Sequence, residues 1–124
     1  MIKAETICSF HTRTDDGLFV VRMKEGVSET IEMARENGQA LMRLLGDDAP
    51  LPLLIDFTLG SGQDSETRQY YANHSGDWCT KAAILVNSPV ARVMGNIYMG
   101  LNKPKVPTRL FTLEEAAMAW LKND

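Results

Sequence analysis

Leu51-Pro52-Leu53-Leu54-Ile55-Asp56-Phe57 is a short, almost continuously apolar run. A strand that alternates apolar and polar residues has one wet face, whereas an unbroken run belongs to a strand covered on both faces, central in its sheet. Lys81 to Asn87 repeats the pattern with Ala82, Ala83, Ile84, Leu85 and Val86, which predicts a second central strand. Between them the chain loosens through Leu59-Gly60-Ser61-Gly62-Gln63, then takes a helical spacing with Thr67, Tyr70, Tyr71 and His74 on one side. Buried strand, helix, buried strand is the repeating unit of a parallel sheet.

Upstream, Val27, Ile31, Ala34, Gly38, Leu41 and Leu45 fall on one stripe of a helix. Ser28 is the expected N-cap, with Glu29 and Glu32 near the positive helix end. Gly38 costs about 1 kcal/mol relative to Ala inside a helix, and its place on the buried stripe predicts close packing against a sheet. Gly46-Asp47-Asp48-Ala49-Pro50 stops the helix. Earlier still, Ala4, Thr6, Cys8 and Phe10 share one face of an extended segment from Ala4 to Thr12, and Leu18 to Met23 is a second strand. Thr14-Asp15-Asp16-Gly17 joins them as the turn of an antiparallel hairpin, so Asp15 and Asp16 are turn formers rather than a catalytic pair.

Downstream, Ser88-Pro89 is a strong helix start. Val90, Val93, Met94, Ile97 and Leu101 make the expected core stripe of that helix. Ala91, Gly95, Tyr98, Met99 and Gly100 leave only Arg92 and Asn96 as polar surface, so the helix is buried on two sides or meets a partner or apolar ligand. After the connector Lys103-Pro104-Lys105-Val106-Pro107, Thr108 to Phe111 reads as a strand, and Thr112 and Glu115 read as a capping box. Leu113, Ala116, Ala117, Trp120 and Leu121 share one face of the last helix, with Trp120 as its core anchor. The order β-β-α-β-α-β-α-β-α predicts a single α/β domain over residues 1–124. Its sheet is mixed, mostly parallel and four- or five-stranded, with the N-terminal hairpin at the edge and helices packed mainly on one face.

At 124 residues, 44% hydrophobic and 23% charged, the chain can bury an adequate core without disulfides or a structural metal. A net charge of -3 without a Lys/Arg block argues against a nucleic-acid binder or polybasic membrane anchor. No run approaches the roughly 20 apolar residues of an integral membrane segment, and Met1-Ile2-Lys3-Ala4-Glu5 lacks the stretch of a secretion signal, so a cytoplasmic protein is expected. Cys8 and Cys79 form no Cys-x-x-Cys pair and are expected as buried thiols; His11 and His74 lack ligand spacing, so no metal and no cofactor are predicted. Gly60-Ser61-Gly62 has neither the Lys of a P-loop nor the spacing of a dinucleotide site, and no Gly-x-Ser-x-Gly elbow occurs. Tyr70-Tyr71 lacks a surrounding basic strip and suits a helical core or pocket wall. An enzyme is not predicted.

Asp56-Phe57-Thr58, with Asp64-Ser65 following at the next helix start, and the closing Pro107-Thr108-Arg109-Leu110-Phe111-Thr112-x-x-Glu115-Ala116-x-x-x-Trp120-Leu121 together resemble the STAS superfamily. The likeness runs through nearly the whole chain and is strongest to its small stand-alone bacterial branch, similar to sporulation anti-sigma factor antagonists (SpoIIAA-like). That resemblance implies a non-enzymatic regulatory or protein-interaction module with a protein partner. A second copy, as a homodimer, is expected on separate grounds, the apolar surface of the helix from Val90 to Leu101 beyond what one buried face requires. The resemblance also implies Ser65 as the phosphoacceptor, where a phosphate would sit near the positive helix end. The chain departs from the antagonists in following Ser65 with Glu66 and Thr67 instead of a small hydroxyl residue and a glycine. Asp56, Ser61 and Asp64 are the accompanying loop candidates. The wider fold also resembles lipid-transfer domains, which implies an alternative, a carrier or sensor of a small hydrophobic ligand walled by Tyr70, Met94, Tyr98 and Met99.

Overall fold

The computed structural model describes residues 2–123. Its strands are β1 (Ile2–Glu5), β2 (Ser9–Arg13), β3 (Phe19–Met23), β4 (Ser28–Glu29), β5 (Leu51–Asp56), β6 (Gly62–Gln63), β7 (Cys79–Leu85) and β8 (Thr108–Phe111). Its α-helices are α1 (Ile31–Leu45), α2 (Ser65–Trp78), α3 (Pro89–Asn102) and α4 (Glu114–Lys122). The main sheet has the order β1-β2-β3-β5-β7-β8, and β4 and β6 pair in a separate short ribbon. β1, β2 and β3 are antiparallel neighbours; β3–β5, β5–β7 and β7–β8 are parallel. The two apolar runs are thus the central strands, as their composition predicts.

From β3 to β8 the strand order advances in one direction, so crossovers of the usual right-handed kind carry α1, α2 and α3 to the same face. α4 follows the last strand and closes the other. Side chains alternate along each strand. Val21, Ile55, Ile84 and Leu110 therefore form one row across the sheet under the three crossover helices, with His11 opposite Val21 at its end. Leu18, Val20, Leu54, Ala83, Leu85 and Phe111 pack on the opposite side with Ala117 and Leu121 of α4.

Several local expectations are corrected. The main sheet has six strands, because the segment from Ala4 to Thr12 folds back on itself. The Thr6 N–H donates to the Ser9 carbonyl at 2.9 Å, closing a turn between β1 and β2. Phe10 consequently faces outward, and Cys8, Ser9 and His11 are buried. Ser28 is drawn into β4, and the cap of α1 is Thr30, whose hydroxyl accepts from the Met33 N–H at 3.3 Å. Gly38 packs helix against helix rather than helix against sheet, since a Cβ there would lie 2.8 Å from Tyr70 Oη and 2.9 Å from Trp78 Cζ2.

α3 starts as predicted, with the Ser88 hydroxyl accepting from the Ala91 N–H at 3.1 Å and Pro89 in the first turn. Its core stripe is inverted. Val90, Val93, Met94, Ile97 and Leu101 are 43–73% exposed, and no described residue of the helix is fully buried. The capping box of α4 does not form; Leu113 occupies the cap position without a side-chain bond, and the Glu114 carboxylate instead accepts from Arg22 at 2.8 Å. Trp120 is half-buried against Phe111, with ring centres 5.8 Å apart and Lys81 Nζ over the indole, while Leu113 and Ala116 face outward. No helix among the described residues is long and apolar enough to cross a membrane.

Candidate functional site

α3 is held at a few points. Gly95 lets the helix approach β8 so closely that a Cβ there would overlap a Leu110 methyl group. The Arg68 guanidinium of α2 lies 3.8 Å from the centre of the Tyr98 ring, a cation–π contact. Asn102 Nδ2 donates to Gln69 Oε1 at 3.0 Å, and Gln69 Nε2 donates to the Asn102 carbonyl at 3.2 Å. Beneath these contacts lies a cavity of about 770 Å³, within the range of roughly 300–1,000 Å³ usual for small-molecule sites.

The floor of the cavity is the row His11, Val21, Ile55, Ile84 and Leu110. Ala91, Met94, Gly95, Tyr98, Met99 and Asn102 of α3 form its roof, and Tyr71, Ala72, Ser75 and Trp78 of α2 form a wall. Ala91, Gly95, Tyr98 and Asn102 recur at helical spacing, so the inward side of α3 is its small and mixed side. The end of the cavity is closed by Ser28–Thr30 with residues 61–64, the β4–β6 ribbon and its flanks. Gly62 has φ +128, a left-handed conformation that a side chain would strain, at the point where the ribbon pairs.

A buried polar network joins this end. Glu29, 2% exposed, accepts from Tyr71 Oη, from Gln63 Nε2 at 2.7 Å and from Asn37 Nδ2 at 3.1 Å. On the other side of the same amide, Asn37 Oδ1 accepts from Thr6 Oγ1 at 2.6 Å and from Ser9 Oγ at 2.9 Å. His11 Nε2 lies 2.8 Å from Ser9 Oγ and 3.3 Å from Asn37 Oδ1. Burial pushes the Glu29 carboxyl up, against the lowering effect of the donors around it. Burial, joined by the Glu29 charge, holds the Tyr71 phenol well above its ordinary value. Burial likewise pushes His11 down and keeps it neutral.

The network is built for order rather than attack. Ser9 and His11 resemble a nucleophile and its base in spacing, but Ser9 is fully buried, does not line the cavity and donates to Asn37. Among the described residues, two buried side-chain polar atoms lack a hydrogen-bond partner: His11 Nδ1 and Arg68 Nε. Both residues line the cavity.

Of the residues marked in the sequence, Met94, Tyr98 and Met99 line the cavity, and so do Ser61 and Asp64 at its end. Tyr70 stands on another side of α2, against Gly38 and 6.1 Å from Trp78 in ring centres, where it lines a separate surface groove. Asp64 caps α2, accepting from the Thr67 N–H at 2.8 Å, and that bond holds its carboxyl below the usual range. Ser65 is exposed in the first turn beside it. Asp56 is not brought to them. It registers with Arg22 on the α4 face and accepts from Arg22 at 2.7 Å. Burial pushes its carboxyl up, but the Thr58 hydroxyl and N–H and the Arg22 charge together outweigh this and hold it low. His11, Glu29, Asn37 and Arg68 escaped the sequence reading as site residues, whereas Tyr71 lies in the cavity wall, in keeping with the reading of Tyr70-Tyr71 as helical core or pocket wall. Asn37 left a signal, a polar side chain three residues after Ala34 and four before Leu41 on the buried side of α1.

The fold is SpoIIAA-like. An uncharacterised protein of the DUF3478 family from Shewanella loihica PV-4, whose crystal structure has a SpoIIAA-like fold, superposes with a TM-score of 0.65 at 14% identity, over 95% of this chain and 98% of that one. A protein of unknown function from Arthrobacter sp. FB24 is 28% identical over 92% of this chain and 99% of its own, with a TM-score of 0.36. No curated protein matches the chain. Residues 12–123 match the model of a domain of unknown function, DUF7793, and the chain belongs to that family.

Proposed function

We propose that this domain is a non-enzymatic binding module that holds a small, mostly apolar ligand between α3 and the sheet, acting as its carrier or sensor. The observation that carries the reading is the cavity of about 770 Å³, apolar along its floor and roof and polar at one end. Ala91 projects from the roof. Ala91→Trp should fill the space from the less constrained side and abolish binding of the neutral fluorescent probe N-phenyl-1-naphthylamine, with the melting temperature within a few degrees of the parent. Unchanged probe binding by a folded Ala91→Trp variant would overturn the reading.

The outward stripe of α3 favours a second reading, a regulatory interaction module. Val90, Val93, Ile97 and Leu101 are more than half exposed on one helix, and contiguous apolar surface of this kind marks association sites. The same helix roofs the cavity, so ligand occupancy and partner binding would bias each other through its position. Under this reading Ile97→Glu lowers self-association measured by sedimentation velocity while leaving probe binding intact. A parent chain that stays monomeric throughout the micromolar range would remove the homodimer from this reading.

A further inference from the structure

The polar end of the cavity constrains which ligand it takes. Asn37 Nδ2 is fixed towards the Glu29 carboxylate at 3.1 Å, so the amide oxygen faces the other way, 3.3 Å from His11 Nε2. An amide oxygen has no proton to give. Ser9 Oγ gives its one proton to the same amide oxygen at 2.9 Å, so at its 2.8 Å contact with Nε2 it is the acceptor, and this pairing assigns the ring the Nε2–H tautomer. Burial keeps the ring neutral, so it carries no second proton and Nδ1 is a bare acceptor. His11 is fully buried and lines the cavity, and Nδ1 has no hydrogen-bond partner. A buried acceptor left unpaired is costly, and a donor brought by a ligand removes that cost.

We infer that His11 Nδ1 receives the polar group of the ligand, and that the ligand is an apolar molecule carrying a neutral hydrogen-bond donor, a hydroxyl or N–H, rather than a carboxylate. This rests on the cavity being a ligand site. An anion at this end would face the Nδ1 lone pair and the nearby Glu29 carboxylate. Arg68 is the competing group: its guanidinium donates to the Gln63 carbonyl at 2.6 Å and lies over Tyr98, where it pins α3. Its Nε, however, has no partner, so an anionic ligand would be held there, and the dodecanoate comparison separates the two.

The test uses matched chains, 1-dodecanol, its methyl ether and dodecanoate, each displacing N-phenyl-1-naphthylamine from the unmodified protein. The alcohol should bind about tenfold tighter than the ether, the worth of one hydrogen bond to a group otherwise left unpaired. In the unmodified protein, ¹⁵N spectra should show the Nε2–H tautomer before addition and a shift of His11 Nδ1 with the alcohol but not the ether. His11→Phe should bring the two affinities within about twofold. Equal affinity for alcohol and ether, with Ala91→Trp still blocking both, overturns the His11 assignment and leaves the cavity reading standing. Tighter binding of dodecanoate than of dodecanol assigns the polar group to Arg68 and also overturns it. Failure of the fluorescent probe and all three chains to bind overturns the cavity reading, and the assignment with it.

Discussion

Burial pushes the Cys79 thiol up to about 12, from 9.0 for a free thiol. The side chain lies against the sheet, 1% exposed, and donates to the Ser75 carbonyl at 3.2 Å. A raised folded value means that the folded state favours the neutral thiol. The associated stability is whole below pH 9 and is lost as the pH rises from 9 towards 12. Unfolding midpoints in urea should therefore fall over that interval more in the parent than in Cys79→Ala. Cys8 is also buried, its thiol raised by burial and then by the Glu29 charge. Both thiols should resist iodoacetamide at pH 8 in the native protein and react in denaturant, as read by mass spectrometry. The buried state of these cysteines was legible in their isolation along the chain. The partners of Glu29 were not, because Gln63, Tyr71 and Asn37 reach it from three other elements.

At the scale of the element, α3 is the instructive case. Its N-cap, length and apolar richness were readable in the sequence, but its orientation was not. A stripe analysis places the most apolar side inward, which holds when the helix must fill the space below it. Here the helix roofs a cavity and docks through Gly95 on Leu110, so the side that goes inward is the one permitting close approach. Gly95→Ala should lift α3 from β8, seen as faster amide hydrogen exchange along residues 89–102 with β5 and β7 still protected. Restored protection in the double variant Gly95→Ala/Leu110→Ala would identify the Leu110 clash as the cause; persistent loss would point elsewhere. The split of the first extended segment has a similar origin, since the Thr6 turn is stabilised by an Asn37 bond from α1.

For the whole molecule, the two faces of the sheet have different tasks. α4 seals one with Ala117 and Leu121, and α1, α2 and α3 enclose the cavity on the other. Trp120 belongs to the sealed face and is half-buried, between Phe111 and Lys81. Trp120→Ala should cost roughly 2–3 kcal/mol, less than the ~3–5 of a fully enclosed aromatic ring, and leave probe affinity unchanged wherever the variant is folded. Chemical denaturation and probe titration of the same sample check both halves. Altered affinity at full folding would mean that the two faces are coupled through the sheet.

The sequence by itself determined the strand and helix alternation, the central position of β5 and β7, and hence the crossover topology. Those features follow from local periodicity and from the rule that a strand wet on neither face must be covered on both. Capping at Ser88 was likewise local chemistry, complete within four residues of chain. Only the tertiary structure decided where Gly38 and Gly95 make their close approaches, which side of α3 turns inward, and that His11, Asn37, Glu29 and Tyr71 meet. Each of these depends on the distance between elements far apart in sequence. No periodicity within a single helix or strand encodes that distance.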